Sequence, residues 1–239
     1  MNANTNETRM NEWFVPKFGP VRFRVFVGLL FLPYTGMCIS FTVIGSMLAD
    51  NVVISWDRAG AIALIYALAL GVSAHVADTL GSKKIKPWGS YFSKGQLLAL
   101  MVATLAAAYA IGVYYIVLYV PHLAVIAVLE GFFLFAYNFE AFGGRFHNNF
   151  WFAVSWGALP ALAGYIMQTN SVSPLAAVAA CMMGLVSYAE IKMSRPYKQL
   201  KKSEGDPARA KRLEIGLKAI SLGTITVALA MVAFRVIFS

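Results

Sequence analysis

Little in this chain is charged: acidic and basic residues make up 13% of its 239 positions, while 59% are hydrophobic and the mean hydropathy is +0.65. An ordinary soluble globular domain is excluded by that balance. Acids are the scarcer sign, eleven against twenty Lys and Arg. Cysteine occurs twice, as Cys38 and Cys181, with neither the number nor the spacing of a disulfide framework or a zinc knuckle; both are expected to be packing residues. The first twenty-four residues lack the apolar run and small-residue cleavage site of a secretory signal. Residues 1–24 are therefore expected to remain as a cytoplasmic N-terminal segment.

What the chain has instead is hydrophobic runs near 25–49, 58–77, 96–119, 121–138, 149–168, 173–190 and 215–238. Each approaches the roughly 20 apolar residues that cross about 30 Å of hydrocarbon. The fold class expected is an all-α polytopic transmembrane bundle of about seven spans, occupying residues 25–238. Every Lys and Arg except Arg58 and Arg235 then falls on one side. By the positive-inside rule that side is cytoplasmic, which puts the N-terminus in the cytoplasm, the C-terminus on the opposite side and the chain in the cell membrane. The net charge of +9 then faces anionic headgroups. Nucleic acid is not an expected partner, because a soluble basic module is missing.

Loops expected on the outer side are short (50–57, 120, 169–172) and those on the inner side longer (78–95, 139–148, 191–214). Runs of small residues, Ala106-Ala107-Ala108, Ala176-Ala177 and Ala179-Ala180, predict close helix packing. Pro33 and Pro160 predict kinks that open space inside the bundle, whereas Pro121 fits a first helical turn.

Ionisable residues at membrane depth are costly and read as functional by default. His75 and Asp78, three apart, share a helical face at the inner end of the second span. Glu190 ends the sixth span in a similar setting, an acid followed by cations and a proline, with Tyr188, Lys192 and Arg195 beside it. Between them lies Tyr137-Asn138-Phe139-Glu140-Ala141-Phe142-Gly143-Gly144-Arg145-Phe146-His147. Its paired glycines permit positive φ, and Glu140, Arg145 and His147 are expected to converge on a headgroup or phosphate. Glu130, mid-span, is expected to be hydrogen-bonded to a neighbouring helix. Retinal chemistry is excluded, because Lys218 lies near the start of the last span rather than deep within it.

At these residues the chain resembles the UbiA-type intramembrane prenyltransferases, over roughly residues 20–235. The likeness rests on the acid-bearing end of span two running into a basic loop with Lys86-Pro87. It rests also on the Tyr137-to-His147 turn leading to Trp156-Gly157-Ala158-Leu159-Pro160, and on the second acid at Glu190. The family's first aspartate motif would fall on Ala74, His75, Asp78 and Ser82, of which only Asp78 is acidic, and the second reduces to Glu190. The family usually has nine helices. The resemblance implies that Asp78 and Glu190 hold Mg²⁺ and act in catalysis with Glu140 and His147. It further implies that His75, Lys83, Lys84, Lys86, Tyr137, Asn138, Arg145, Tyr188, Lys192 and Arg195 bind a polyprenyl diphosphate or related membrane lipid. A non-catalytic lipid-binding or scaffold subunit of a membrane complex, with a protein partner, is the alternative.

Overall fold

The computed structural model describes residues 10, 12–50, 52–81, 91–203 and 205–238. They form helices and no strand, and the chain crosses the long axis of the bundle seven times. Six crossings are long and apolar enough to span a membrane; the remaining one, α6 (Leu123–Asn138), has 16 residues.

The first crossing is broken. Its helix α1 (Val21–Leu29) gives way to α2 (Leu32–Met47) at Phe31, whose φ of 46° and ψ of 52° are left-handed. Pro33 falls in the first turn of α2, where a missing N–H forfeits no helical hydrogen bond, so the expected kink is a full break just before it. The second crossing is α3 (Trp56–Tyr66), a π-helical segment Ala67–Ala74, and α4 (His75–Gly81). The third, α5 (Lys94–Leu118), starts at a capping box in which Ser93 and Gln96 satisfy each other's backbone N–H groups. The fifth is α7 (Asn149–Ala153), a second π segment Val154–Ala158, and α8 (Leu159–Thr169), with Pro160 in the first turn of α8.

Two boundaries differ from the sequence expectation. The sixth helix, α9 (Pro174–Lys202), does not stop at residue 190, and the seventh, α10 (Pro207–Phe238), starts well before 215. The expected inner loop 191–214 is therefore mostly helix. Hydropathy ends a span where charge begins, but a helix leaving hydrocarbon has no reason to unwind while one face stays packed. Pro196 lies inside α9 without ending it.

At one end of the bundle the connections between crossings hold one another. Gln168 bonds the backbone N–H and C=O of Ser55, Tyr165 donates to Asp50, and His122 meets Asn170. The opposite end collects the N-terminal segment, the end of α9 and the start of α10. There the buried Tyr197 hydroxyl lies 2.8 Å from Glu12 and 3.1 Å from Glu214. This end carries the basic residues.

The two exceptions to the charge bias both have local partners. Arg58 sits over the Tyr119 ring and points at the Gln168 carbonyl. Arg235 donates to the carbonyls of Met47 (2.8 and 3.0 Å) and Ala49 (2.7 Å), closing the end of α2 against α10. A cation at the open carbonyls of a helix C-terminus is doubly favoured, by hydrogen bonding and by the helix dipole. Arg235→Met is expected to cost about 2–3 kcal/mol and to lower the thermal midpoint of the detergent-solubilised protein by roughly 5–10 °C. Arg58→Met, with its single long bond of 3.5 Å, should change it by less than half as much.

The centre of the bundle is α2 against α8. A Cβ built on Gly45 would overlap the Ala161 carbonyl, and one on Gly164 would overlap that of Thr42. Closest packing therefore lies here rather than at the alanine runs, where Ala106, Ala107 and Ala177 are exposed. Large apolar side chains on α5, α6, α9 and α10 point outward, among them Val117, Val128, Leu185 and Ile237. Cys38 is buried as expected, but Cys181 is on that outer surface.

Candidate functional site

The basic end of the bundle contains a cavity of about 180 Å³, more than ten times the roughly 10–15 Å³ that one water needs. Its lining brings together His75 and Asp78 from α4, Tyr137 and Asn138 from α6, His147 from the following turn, and Glu190 and Arg195 from α9. These seven residues were singled out from the sequence. The two acid-bearing helix ends, alike in sequence, thus face one space.

Local structure explains the placement. Residues 187, 190, 194 and 198 fall at helical spacing, so the continuation of α9 past residue 190 carries Ser194 and Lys198 to the cavity beside Glu190. The π segments do the same on two other walls: one ends just before His75, and the other contains Trp156. An extra residue per turn re-aims the side chains that follow, and such segments recur at functional sites. At Gly157 the second π segment comes so close to α9 that a Cβ would lie 2.6 Å from the Met183 carbonyl and 2.8 Å from Ser187 Cβ.

Six rings run in sequence along the walls. Phe31 stacks on His75 (5.0 Å between centroids) and His75 meets Trp156 (5.0 Å). Trp156 stacks on Phe152 (5.5 Å), Phe152 meets Tyr137 (5.8 Å), and Tyr137 stacks on His147 (4.4 Å). Thr35 donates to the Leu30 carbonyl, so towards His75 Nε2, at 3.3 Å, its oxygen is the acceptor. This contact places a hydrogen on Nε2. His147 Nδ1 bonds the Tyr137 carbonyl at 2.9 Å.

Among the lining side chains are two carboxylates, two imidazoles and two cations, with Asn138, Ser194, Tyr34 and Tyr137 as neutral polar groups. Arg195 reaches the Tyr137 hydroxyl at 3.5 Å, and the Lys198 ammonium sits 5.3 Å above the Phe31 ring. Glu190 is 2% exposed, and among the described residues its Oε2 has no hydrogen-bond partner; nor have the hydroxyls of Ser187 and Ser194 on the same helix. Buried polar groups are nearly always paired, so three orphans on one helix, two of them on residues lining the cavity, mark a wall shaped for something polar. Phe31 adds a strained left-handed backbone at the same place.

The structure places the remaining sequence candidates elsewhere. Gly143 and Gly144 do have positive φ, 68° and 77°, but the expected convergence does not occur: Glu140 and Arg145 are exposed and outside the lining, and only His147 turns inward. The Lys192 ammonium lies 5.6 Å over the Tyr188 ring, both outside the lining. Lys83, Lys84 and Lys86, with Ser82, lie outside the described residues. Among the described residues no group of three His, Cys, Asp or Glu forms a metal site by itself. Sequence reasoning missed Phe31, Tyr34, Phe152, Trp156, Ser194 and Lys198. For Ser194 and Lys198 the i, i+4, i+8 spacing from Glu190 was the available clue; the aromatic residues gave none. The chain matches no family model, no curated protein and no solved structure.

Proposed function

We propose that this is an integral membrane protein whose basic, cytoplasmic-side cavity receives the polar end of an isoprenoid or related lipid, and that it transfers a prenyl group from a diphosphate to an acceptor. The observation that carries the reading is the buried, unpartnered Glu190 oxygen in a cavity that also holds Asp78, Arg195, Lys198 and a run of aromatic faces.

The donor set fits Mg²⁺. That ion is commonly held by one or two carboxylates together with substrate phosphates and water, rather than by a complete protein cage; Asp78 and Glu190 would supply the carboxylates. When bound, Mg²⁺ neutralises charge on the diphosphate as it leaves. Arg195 and Lys198 contribute charge-assisted hydrogen bonds to phosphate oxygens. The allylic C–O bond breaks with its electron pair going to the diphosphate, and the flanking rings offer π faces to the allylic cation. The acceptor forms the new bond to that carbon and loses a proton, for which His147 is the lining base nearest Tyr137. UbiA-type proteins are the family this reading resembles.

The test is binding of a radiolabelled polyprenyl diphosphate to the purified protein, with Mg²⁺ and with EDTA. Saturable binding that requires Mg²⁺ is expected, followed by product formation in an acceptor screen. Saturable binding without turnover for any acceptor would favour a lipid-binding subunit. Equal binding in EDTA would overturn the diphosphate site.

A further inference from the structure

Between Lys192 and Lys218 the chain carries nine Lys and Arg against three acids, and the folded hairpin of α9 and α10 engages two of those acids internally. Glu214 accepts from the Lys218 ammonium at 2.7 Å, lies 3.8 Å from that of Lys201 and takes part in the contact with the Tyr197 hydroxyl. Asp206 caps α10 by accepting the backbone N–H groups of Ala208 and Arg209 at 2.9 and 3.2 Å. Glu204, the third, lies outside the described residues. Arg209, Lys211 and Arg212 stand exposed on the first turns of α10. Among the described residues no salt bridge joins Asp206 or Glu214 to any of these three.

The same helix runs on beneath them as an apolar outer stripe. Arg212, Ile215, Ala219, Leu222, Thr226 and Leu229 follow at intervals of three and four residues, which places them on one face, and all are exposed, Ile215 by 58% and Leu222 by 54%. Ala210, Leu217, Ser221 and Ala228 are buried on the other side of the helix. Arg235 holds the far end of α10 against the Met47 carbonyl. The roughly 20 residues that cross hydrocarbon, taken back from that point, bring the inner boundary to about Ile215. Arg212 and Arg209 then stand about one and two turns beyond it, at headgroup depth.

We infer that this end of α10 is a binding site for an anionic phospholipid, its phosphate held by Arg209, Lys211 and Arg212 and its acyl chains laid along the stripe that begins at Ile215. Guanidinium and ammonium groups give phosphate oxygens charge-assisted hydrogen bonds, and basic residues beside a membrane-spanning helix attract anionic headgroups. A zwitterionic lipid brings a cation of its own towards three others, so the site favours a lipid with net negative charge. The apolar stripe directly beneath the cations favours a lipid over an acidic peptide, which has no chains to lay there. None of these residues lines the cavity that holds Glu190, so the site stands apart from the chemistry proposed for that cavity.

The experiment is native mass spectrometry of the full chain, delipidated in a neutral detergent and titrated with dioleoyl phosphatidylglycerol or dioleoyl phosphatidylcholine. Phosphatidylglycerol should bind at least about tenfold more tightly. The triple variant Arg209→Gln, Lys211→Gln, Arg212→Gln should bring it down to the level of phosphatidylcholine and leave phosphatidylcholine binding as it was. A second triple variant, Arg22→Gln, Lys94→Gln, Arg145→Gln, removes the same charge from other exposed positions and should keep the preference. It also separates a local site from an effect of net charge. No preference in the unaltered chain, a preference that survives in the α10 triple variant, or an equal loss in both triple variants would overturn the site.

Discussion

Glu190→Gln is expected to weaken Mg²⁺-dependent binding of a polyprenyl diphosphate by at least roughly 30-fold, about 2 kcal/mol at 1.4 kcal/mol per decade, while leaving the protein as stable or more so. The two effects have opposite signs for one reason. Glu190 is buried with an unpartnered oxygen, so in the free protein its carboxylate is a cost, and the isosteric amide relieves it by up to about 1–3 kcal/mol. In the complex the same carboxylate is a ligand, and the amide cannot replace its charge. Asp78→Asn should lose binding similarly, with a smaller change in stability because Asp78 is only half-buried. Isothermal binding and thermal unfolding on the same preparations check both. A Glu190→Gln protein that binds normally but melts earlier would show the carboxylate to be structural.

Gly164→Ala is expected to cost more than about 3 kcal/mol, beyond the usual range for an added methyl in a packed core, and to reduce the yield of monodisperse protein sharply. The added carbon would overlap the Thr42 carbonyl, which is backbone and cannot swing aside, and would press on the Ser46 amide at 3.0 Å. Separating the helices to make room would also break the Ser46 hydroxyl bond to the Gly164 carbonyl. Gly45→Ala meets the same obstacle from the other side, at Ala161. The control is chemically identical: Gly223→Ala, exposed on α10, has nothing within 4 Å and should be neutral or stabilising by roughly 0.5–1 kcal/mol from helix propensity. Size-exclusion profiles and thermal midpoints of the three variants make the comparison. Equal behaviour at positions 164 and 223 would mean the α2–α8 contact is looser than described.

Seven apolar helical runs were legible in the sequence, six of them long and apolar enough to span a membrane, because hydrocarbon imposes its own length and polarity on every helix that enters it. The two exceptions to the charge bias, Arg58 and Arg235, are engaged by carbonyls and, for Arg58, by a ring. His75, Asp78, Tyr137, Asn138, His147, Glu190 and Arg195 were legible for a related reason: polar groups at helix ends within an apolar protein have few places to go. Glu140 and Arg145 carried the same mark and went outward, in a turn whose backbone is left-handed at Glu140, Phe142, Gly143 and Gly144, which spacing does not encode.

The sequence by itself determined the all-helical class, the apolar runs that become the long helices and which end is basic, all consequences of local transfer free energies. Only the tertiary structure decided that α9 runs on past residue 190 and carries Ser194 and Lys198 to the cavity, and that two π segments bring His75 and Trp156 together. Those features depend on which helix faces lie against each other, and packing between distant segments is settled by shape and close contact rather than by the pattern along any single one.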